Sequence, residues 1–214
     1  MKITVNRALM KIKTLQKRYD KELRDLQLIA VKKGDKLSDR WAYYKESDFI
    51  EKAKSSFQSV TDIKNNIVTL KKLVVASNQI THVNIGGSDY TVQDAIIRKN
   101  YIANEEHLVE KMKNLVSIAK AVFDAETANN EKEIEKMVAN SSDKDKEKII
   151  EVKKDAETFI EQHKAIKFVD PLGLEKKVEN LEKSIFDFKN NVDYALSTSN
   201  STTYIEIPDN IDVD

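Results

Sequence analysis

NIGGSDYTVQDAIIRK, residues 84–99, decides how this chain folds. Two of the four glycines in 214 residues stand together at Gly86 and Gly87. Glycine is the residue that enters positive φ without a steric penalty, so the pair predicts a tight turn. On its N-terminal side Ile80–Ile85 has strand character, and Asp89–Val92 runs back. The result is a β-hairpin near residues 79–92. Two strands alone are marginal in water, so the hairpin must pack on something. Thr91-Val92-Gln93-Asp94 reads as a helix start, with Thr91 as cap and Asp94 in the positive first turn.

Outward from this stretch the apolar residues recur at gaps of three and four. Val5, Ala8, Ile12, Leu15, Tyr19, Leu23, Leu26 and Ala30 predict a first helix from Val5 to Ala30. Gly34 is expected to close it as a left-handed cap. Ile50, Ala53, Phe57, Val60, Ile63, Ile67, Leu70 and Val74 predict a second helix, capped by Ser47 or Asp48 and reaching about Ser77. A third follows Thr91, with Val92, Ala95, Ile96, Ile102, Val109, Met112, Val116, Ala119 and Phe123 on its apolar side, and weakens at 127–130. Ser141-Ser142-Asp143 is read as a break. Ile149, Val152, Ala156, Phe159, His163 and Ile166 form a fourth amphipathic segment. Asp170 and Pro171 are expected to cap and open the last helix. Its row Leu174, Val178, Leu181, Ile185, Phe188, Val192 and Ala195 is the clearest coiled-coil repeat in the chain. Thr203–Ile207 is an edge strand, added to the hairpin or to another subunit, or else part of a flexible acidic tail.

The fold class is therefore mainly α: long antiparallel helices in a bundle or coiled-coil arrangement with one small β-hairpin insertion. The expected segments are a helical core over 1–128, a charged helical extension over 129–200, and an acidic tail over 201–214. Only six residues are Gly or Pro, which agrees with few turns and long elements, and 34% are charged. There is no cysteine, so disulfides, thiolate metal sites and cysteine nucleophiles are excluded. No apolar window approaches a membrane span, and no signal-peptide pattern opens the chain. The expectation is a cytoplasmic protein with no membrane partner. Net charge is zero, which argues against a large phosphate footprint and makes nucleic acid an unfavoured partner. Residues 1–45 nevertheless carry thirteen Lys/Arg against five Asp/Glu.

Residues 1–125 resemble the septicolysin-like family of small bacterial helical proteins. Three stretches in order carry the resemblance. They are Leu15-Gln16-Lys17-Arg18, then Ala30-Val31-Lys32-Lys33-Gly34-Asp35, then Ser77-Asn78, Gly87 and Tyr90–Lys99. The corresponding family pattern is Thr-Asn, a Gly-containing turn, Thr-Leu-Thr-x-Ala-Leu and a basic pair. The resemblance implies a helical core with the hairpin inserted, and it assigns no catalytic residue. Residues 130–214 lie outside it.

The motifs of zinc, di-iron, phosphate-loop and serine-hydrolase chemistry are missing, and the three histidines are far apart. A non-enzymatic protein with no cofactor and no metal is expected. The remaining candidate site is the hairpin with the helix that follows. A Gly turn before a helix N-terminus is a place where anions bind. Gly86, Gly87, Thr91, Arg98 and Lys99 supply its turn, cap and basic pair, and Tyr90 a stacking ring. Arg40 and Trp41, in the connector that also holds Tyr43 and Tyr44, are further candidate ligand contacts. The competing reading makes the glycines a plain turn and pairs Arg98 with Asp94. The leading functional expectation is a homo-oligomer that sequesters a small anionic, nucleotide-like ligand, as phage sponge proteins do in the host cytoplasm. The Lys-, Asn- and Ile-rich composition suits such an origin. The alternative is a structural or scaffold coiled-coil protein, virion-associated, with protein partners only.

Overall fold

The computed structural model describes residues 1–41, 44–141, 146–209 and 211. Its elements in chain order begin with β1 (Lys2–Thr4), α1 (Val5–Arg24), β2 (Lys32–Lys33), β3 (Lys36–Leu37) and a 3-10 turn at Asp39–Trp41. They continue with α2 (Glu46–Ile80), β4 (His82–Ile85), β5 (Ser88–Thr91), α3 (Val92–Ala139), α4 (Lys146–Lys164), α5 (Leu174–Thr202) and β6 (Tyr204–Glu206). The protein is mainly α-helical, with small antiparallel pairs attached. The expected hairpin is β4–β5. Two further pairs, β1–β6 and β2–β3, accompany it.

The chain divides into two compact units. One comprises Met1–Asn100 with Phe188–Asp214, and the other Tyr101–Asp187. The position near 128 that was expected to end the core lies inside α3.

In the first unit α1 and α2 pack along their apolar rows. Val5, Ala8 and Leu15 meet Ile63, Ile67, Leu70 and Val74, and Ile3, Ile205, Ile207 and Ile211 close the same core. Thr4 caps α1 by accepting the Arg7 N–H. The helix ends at Arg24, six residues before the expected end, because the chain turns extended into β2–β3. Gly34 is not a helix cap. It occupies the first position of the two-residue turn between Lys33 and Lys36, with φ of +62°, as a II′-type hairpin requires. Neither Ser47 nor Asp48 caps α2: Lys45 holds that position without a side-chain bond. Phe49 is buried there, with its ring edge-on to Tyr44 at 6.0 Å, whereas Ile50 and Phe57 are exposed. α2 also continues past Ser77, so Ile80 is helical and exposed rather than a strand residue.

Thr203–Ile207 does contain a strand, but β6 pairs with β1 and not with the hairpin. Thr4 lies opposite Tyr204, Ile3 opposite Ile205 and Lys2 opposite Glu206. The buried Ile3, Ile205, Ile207 and Ile211 account for this: the apolar residues of the segment join the core. Of the acids that gave the tail its reading, Glu206 and Asp209 are described, whereas Asp212 and Asp214 lie outside the described residues, as do Tyr43 and the Ser142-Asp143 part of the expected break.

In the second unit the heptad of α5 is satisfied within the chain. Val178 and Ile185 pack on Val109 of α3, with Ile102, Met112 and Leu181 at the rim. α3 does not weaken at 127–130. The Thr127 hydroxyl bonds back to the Phe123 carbonyl, and the Asn130 amide donates to the Lys164 carbonyl. In α4 the buried residues are Ala156 and Ile160, while the Phe159 and His163 rings meet at a tilt with centroids 4.7 Å apart. Asp170 does not place Pro171 in a helix. Its carboxylate accepts the Leu172 and Leu174 N–H groups at 3.2 and 2.6 Å, forming a turn that delays α5 to Leu174.

Candidate functional site

The hairpin turn takes two glycines because both central residues need positive φ. Gly86 stands at +60° and Gly87 at +85°, between the paired Ile85 and Ser88. This is the I′ geometry that matches the twist of the flanking strands. The Gly87 N–H donates to the Asn84 side chain, which finishes the turn. His82 and Asp89 approach within 2.7 Å on the exposed face of the strands. Ile85 and Val83 point the other way and are buried.

The helix start behind the turn is closed by the chain itself. The Asp94 N–H donates to the Thr91 hydroxyl at 3.0 Å, and that hydroxyl donates to the Asp94 carboxylate at 2.8 Å. The Val92 N–H donates to the Thr81 carbonyl at 2.8 Å. Two first-turn amides are therefore bonded, and a carboxylate already sits in the positive end of the helix dipole. An incoming anion would meet Asp94.

Tyr90 and Arg98, both candidate ligand contacts, come together. The Arg98 guanidinium donates to the Tyr90 hydroxyl at 2.5 Å. It does not reach back to Asp94, whose carboxylate is held by Thr91. Its second neighbour was not foreseen. Phe188 of α5 is buried, with the Arg98 guanidinium carbon 4.6 Å from its ring centroid and the Tyr90 ring edge-on at 5.6 Å. Arg98 thus bridges hairpin and helix through a cation–π contact and a phenol bond, each worth about 0.5–2 kcal/mol when partly shielded. Lys99 forms an ion pair with Asp193, also on α5. Arg40 and Trp41 are elsewhere, on the 3-10 turn, where the guanidinium carbon stands 5.6 Å from the indole centroid. Tyr44, in the same connector, packs on Phe49 and accepts from Lys52.

Two recesses were not visible in the sequence. A shallow groove of about 320 Å³ runs beside β4, lined by Thr81, His82, Tyr194, Thr198 and Thr202 among others. In the second unit an apolar recess of about 350 Å³ is lined by Leu115, Val116, Phe168, Val169 and Leu174, with the ion-paired Lys120 and Glu175 at its edge. That ion pair holds the Lys120 ammonium above its ordinary range, first through the Glu175 hydrogen bond. Among the described residues no cluster of three metal-ligating side chains occurs, and no helix is long and apolar enough to cross a membrane.

α3 carries a second apolar row besides the one packed on α5. Tyr101, Leu108, Leu115 and Val122 recur every seven residues and are 60%, 55%, 46% and 56% exposed. Each immediately precedes a residue of the inward row Ile102, Val109, Val116 and Phe123, so the two rows stand about 100° apart around the helix.

No family model matches the chain, and neither a curated protein nor a solved structure does.

Proposed function

We propose that this chain is a non-enzymatic assembly protein, a helical body whose partners are protein surfaces, with copies of itself first among them. The exposed row Tyr101, Leu108, Leu115 and Val122 carries this reading. A helix that packs one apolar row on its own chain and presents another at heptad spacing has the pattern of a coiled-coil seam. The hairpin supports the same view, since Thr91 is bonded to Asp94, and Arg98 is bonded to Tyr90 and lies over Phe188. The resemblance of residues 1–125 to the septicolysin-like family adds the order helix, hairpin, helix to this reading and no activity.

A second reading keeps one observation in its favour. Tyr90 and Arg98, the pair expected to hold a base and a phosphate, meet in space. In that reading the protein sequesters a small anionic, nucleotide-like ligand, which takes the guanidinium from the phenol.

Native mass spectrometry of the protein purified from cells separates the two, before and after incubation with a panel of nucleotides. A defined oligomer with no added mass supports assembly. An oligomer carrying a nucleotide-sized mass that Arg98→Ala abolishes, with helicity by circular dichroism unchanged, supports sequestration. A bare monomer across micromolar concentrations overturns both.

A further inference from the structure

We infer that the exposed α3 row is the seam of an antiparallel pair formed with α3 of a second copy. This rests on the assembly reading and adds the occupant, the direction and the register.

Charge decides the direction. Within residues 101–110 the ionised side chains are Glu105, Glu106 and Glu110, all acidic. Within 111–122 they are Lys111, Lys113 and Lys120, all basic. A parallel pair sets acid against acid and base against base along the whole seam. An antiparallel pair sets the acidic half of each helix against the basic half of the other, about a two-fold axis near Lys111 and Met112. Such an interface is self-complementary, as a closed two-fold dimer requires. Lys113 and Lys120 already meet Glu182 and Glu175 of α5, yet each remains about half exposed, so a second carboxylate can join each pair.

The apolar spacing sets the register. With Leu108 opposite Leu115 of the second copy, Tyr101 falls opposite Val122 and Glu110 opposite Lys113. All four row residues are then covered at once, along about 32 Å of helix. Leu115 also forms one wall of the apolar recess with Phe168 and Val169, the latter 93% exposed. The second copy's Leu108 arrives beside that recess and extends the apolar contact beyond the two helices.

The chain has no cysteine, so engineered thiols report the register without background. Leu108→Cys and Leu115→Cys are made separately in the full chain, mixed and mildly oxidised. The inference expects the mixed disulfide to dominate, because the like positions are offset by about 10 Å along the axis, beyond disulfide reach. Rapid self-linking of each variant alone, with no excess of the mixed species, means a parallel pair and overturns it. Leu108→Glu with Leu115→Glu gives the second test. Both positions are about half exposed, so the fold is expected to hold by circular dichroism while dimer affinity falls roughly tenfold or more. An oligomer mass unchanged by this double variant overturns the α3 seam but leaves the assembly reading standing. A wild-type chain that is monomeric removes both.

Discussion

Replacing Gly87 by alanine tests whether the glycine pair is there for the backbone. Gly87 has φ of +85°, and a Cβ built on it meets no atom within 4 Å. The substitution therefore adds no clash, and its cost is conformational alone. Holding an L-residue in left-handed space costs about 1–2 kcal/mol. Alanine also reduces the freedom of the unfolded chain relative to glycine, which returns about 0.4–1 kcal/mol only where the native φ suits it, and here it does not. Gly87→Ala should thus lower stability by about 1–2 kcal/mol, a shift of roughly 2–16 °C depending on how much of the chain unfolds together. Gly87→Asn should lose clearly less, because asparagine tolerates this region better than other L-residues. The assay is urea unfolding followed by circular dichroism, with all three proteins at one concentration. Equal losses for Ala and Asn would refute the backbone argument. So would a fully stable Gly87→Ala protein, which would reopen the turn as a ligand cradle.

Two further outcomes follow from the first unit. Leu70 is fully buried between α1 and α2, so Leu70→Ala should cost about 2–5 kcal/mol in urea or thermal unfolding, against near neutrality for a truncation at the exposed Ile80. The Glu22 carboxyl is held below its ordinary 4.5, first by the Ser59 hydroxyl at 2.7 Å and then by Arg18 at 2.8 Å. Its contribution is complete above that ordinary value and is lost as pH falls through the lower folded value, so Ser59→Ala should cost about 1 kcal/mol at pH 7 and progressively less as pH falls through that lowered value, by unfolding at each pH.

The features legible in the sequence were those fixed by neighbours close in the chain. Gly86 and Gly87 announce a turn because few other residues fit two successive positive φ values. Thr91 and Asp94 announce a helix start because their bonds span three residues. The α5 heptad announced a coiled-coil partner, but not that α3 of the same chain would be that partner. What escaped depends on distant contacts. β1 is three residues long, and nothing in Lys2-Ile3-Thr4 marks it as a strand until Ile3 meets Ile205 in the core. The Thr127–Asn130 stretch has poor helix propensity, yet α3 runs through it, with the Asn130 amide donating to the Lys164 carbonyl and the Lys164 ammonium donating to Glu133 one turn on. At the site, the meeting of Tyr90 and Arg98 follows from a hairpin joined directly to a helix. Phe188, which lies between them in function and some ninety residues on in sequence, has no local signature. The Asp94 carboxylate shows the reverse failure: a residue read as part of the first turn of an anion-binding helix start also occupies that start.

The pairing of β1 with β6 has a consequence for biosynthesis. Ile3 is synthesised before nearly all of the first unit, and Ile205 follows more than two hundred residues later. At ordinary elongation rates, residues 101–187 alone take roughly 4–17 s to synthesise. For much of that interval α1, α2 and the hairpin are outside the tunnel without Phe188, Ile205, Ile207 or Ile211 to cover them. Nascent chains of this protein therefore spend seconds with the apolar face of the first unit unsealed, a window in which a chaperone, or another nascent chain on the same message, has first access to it.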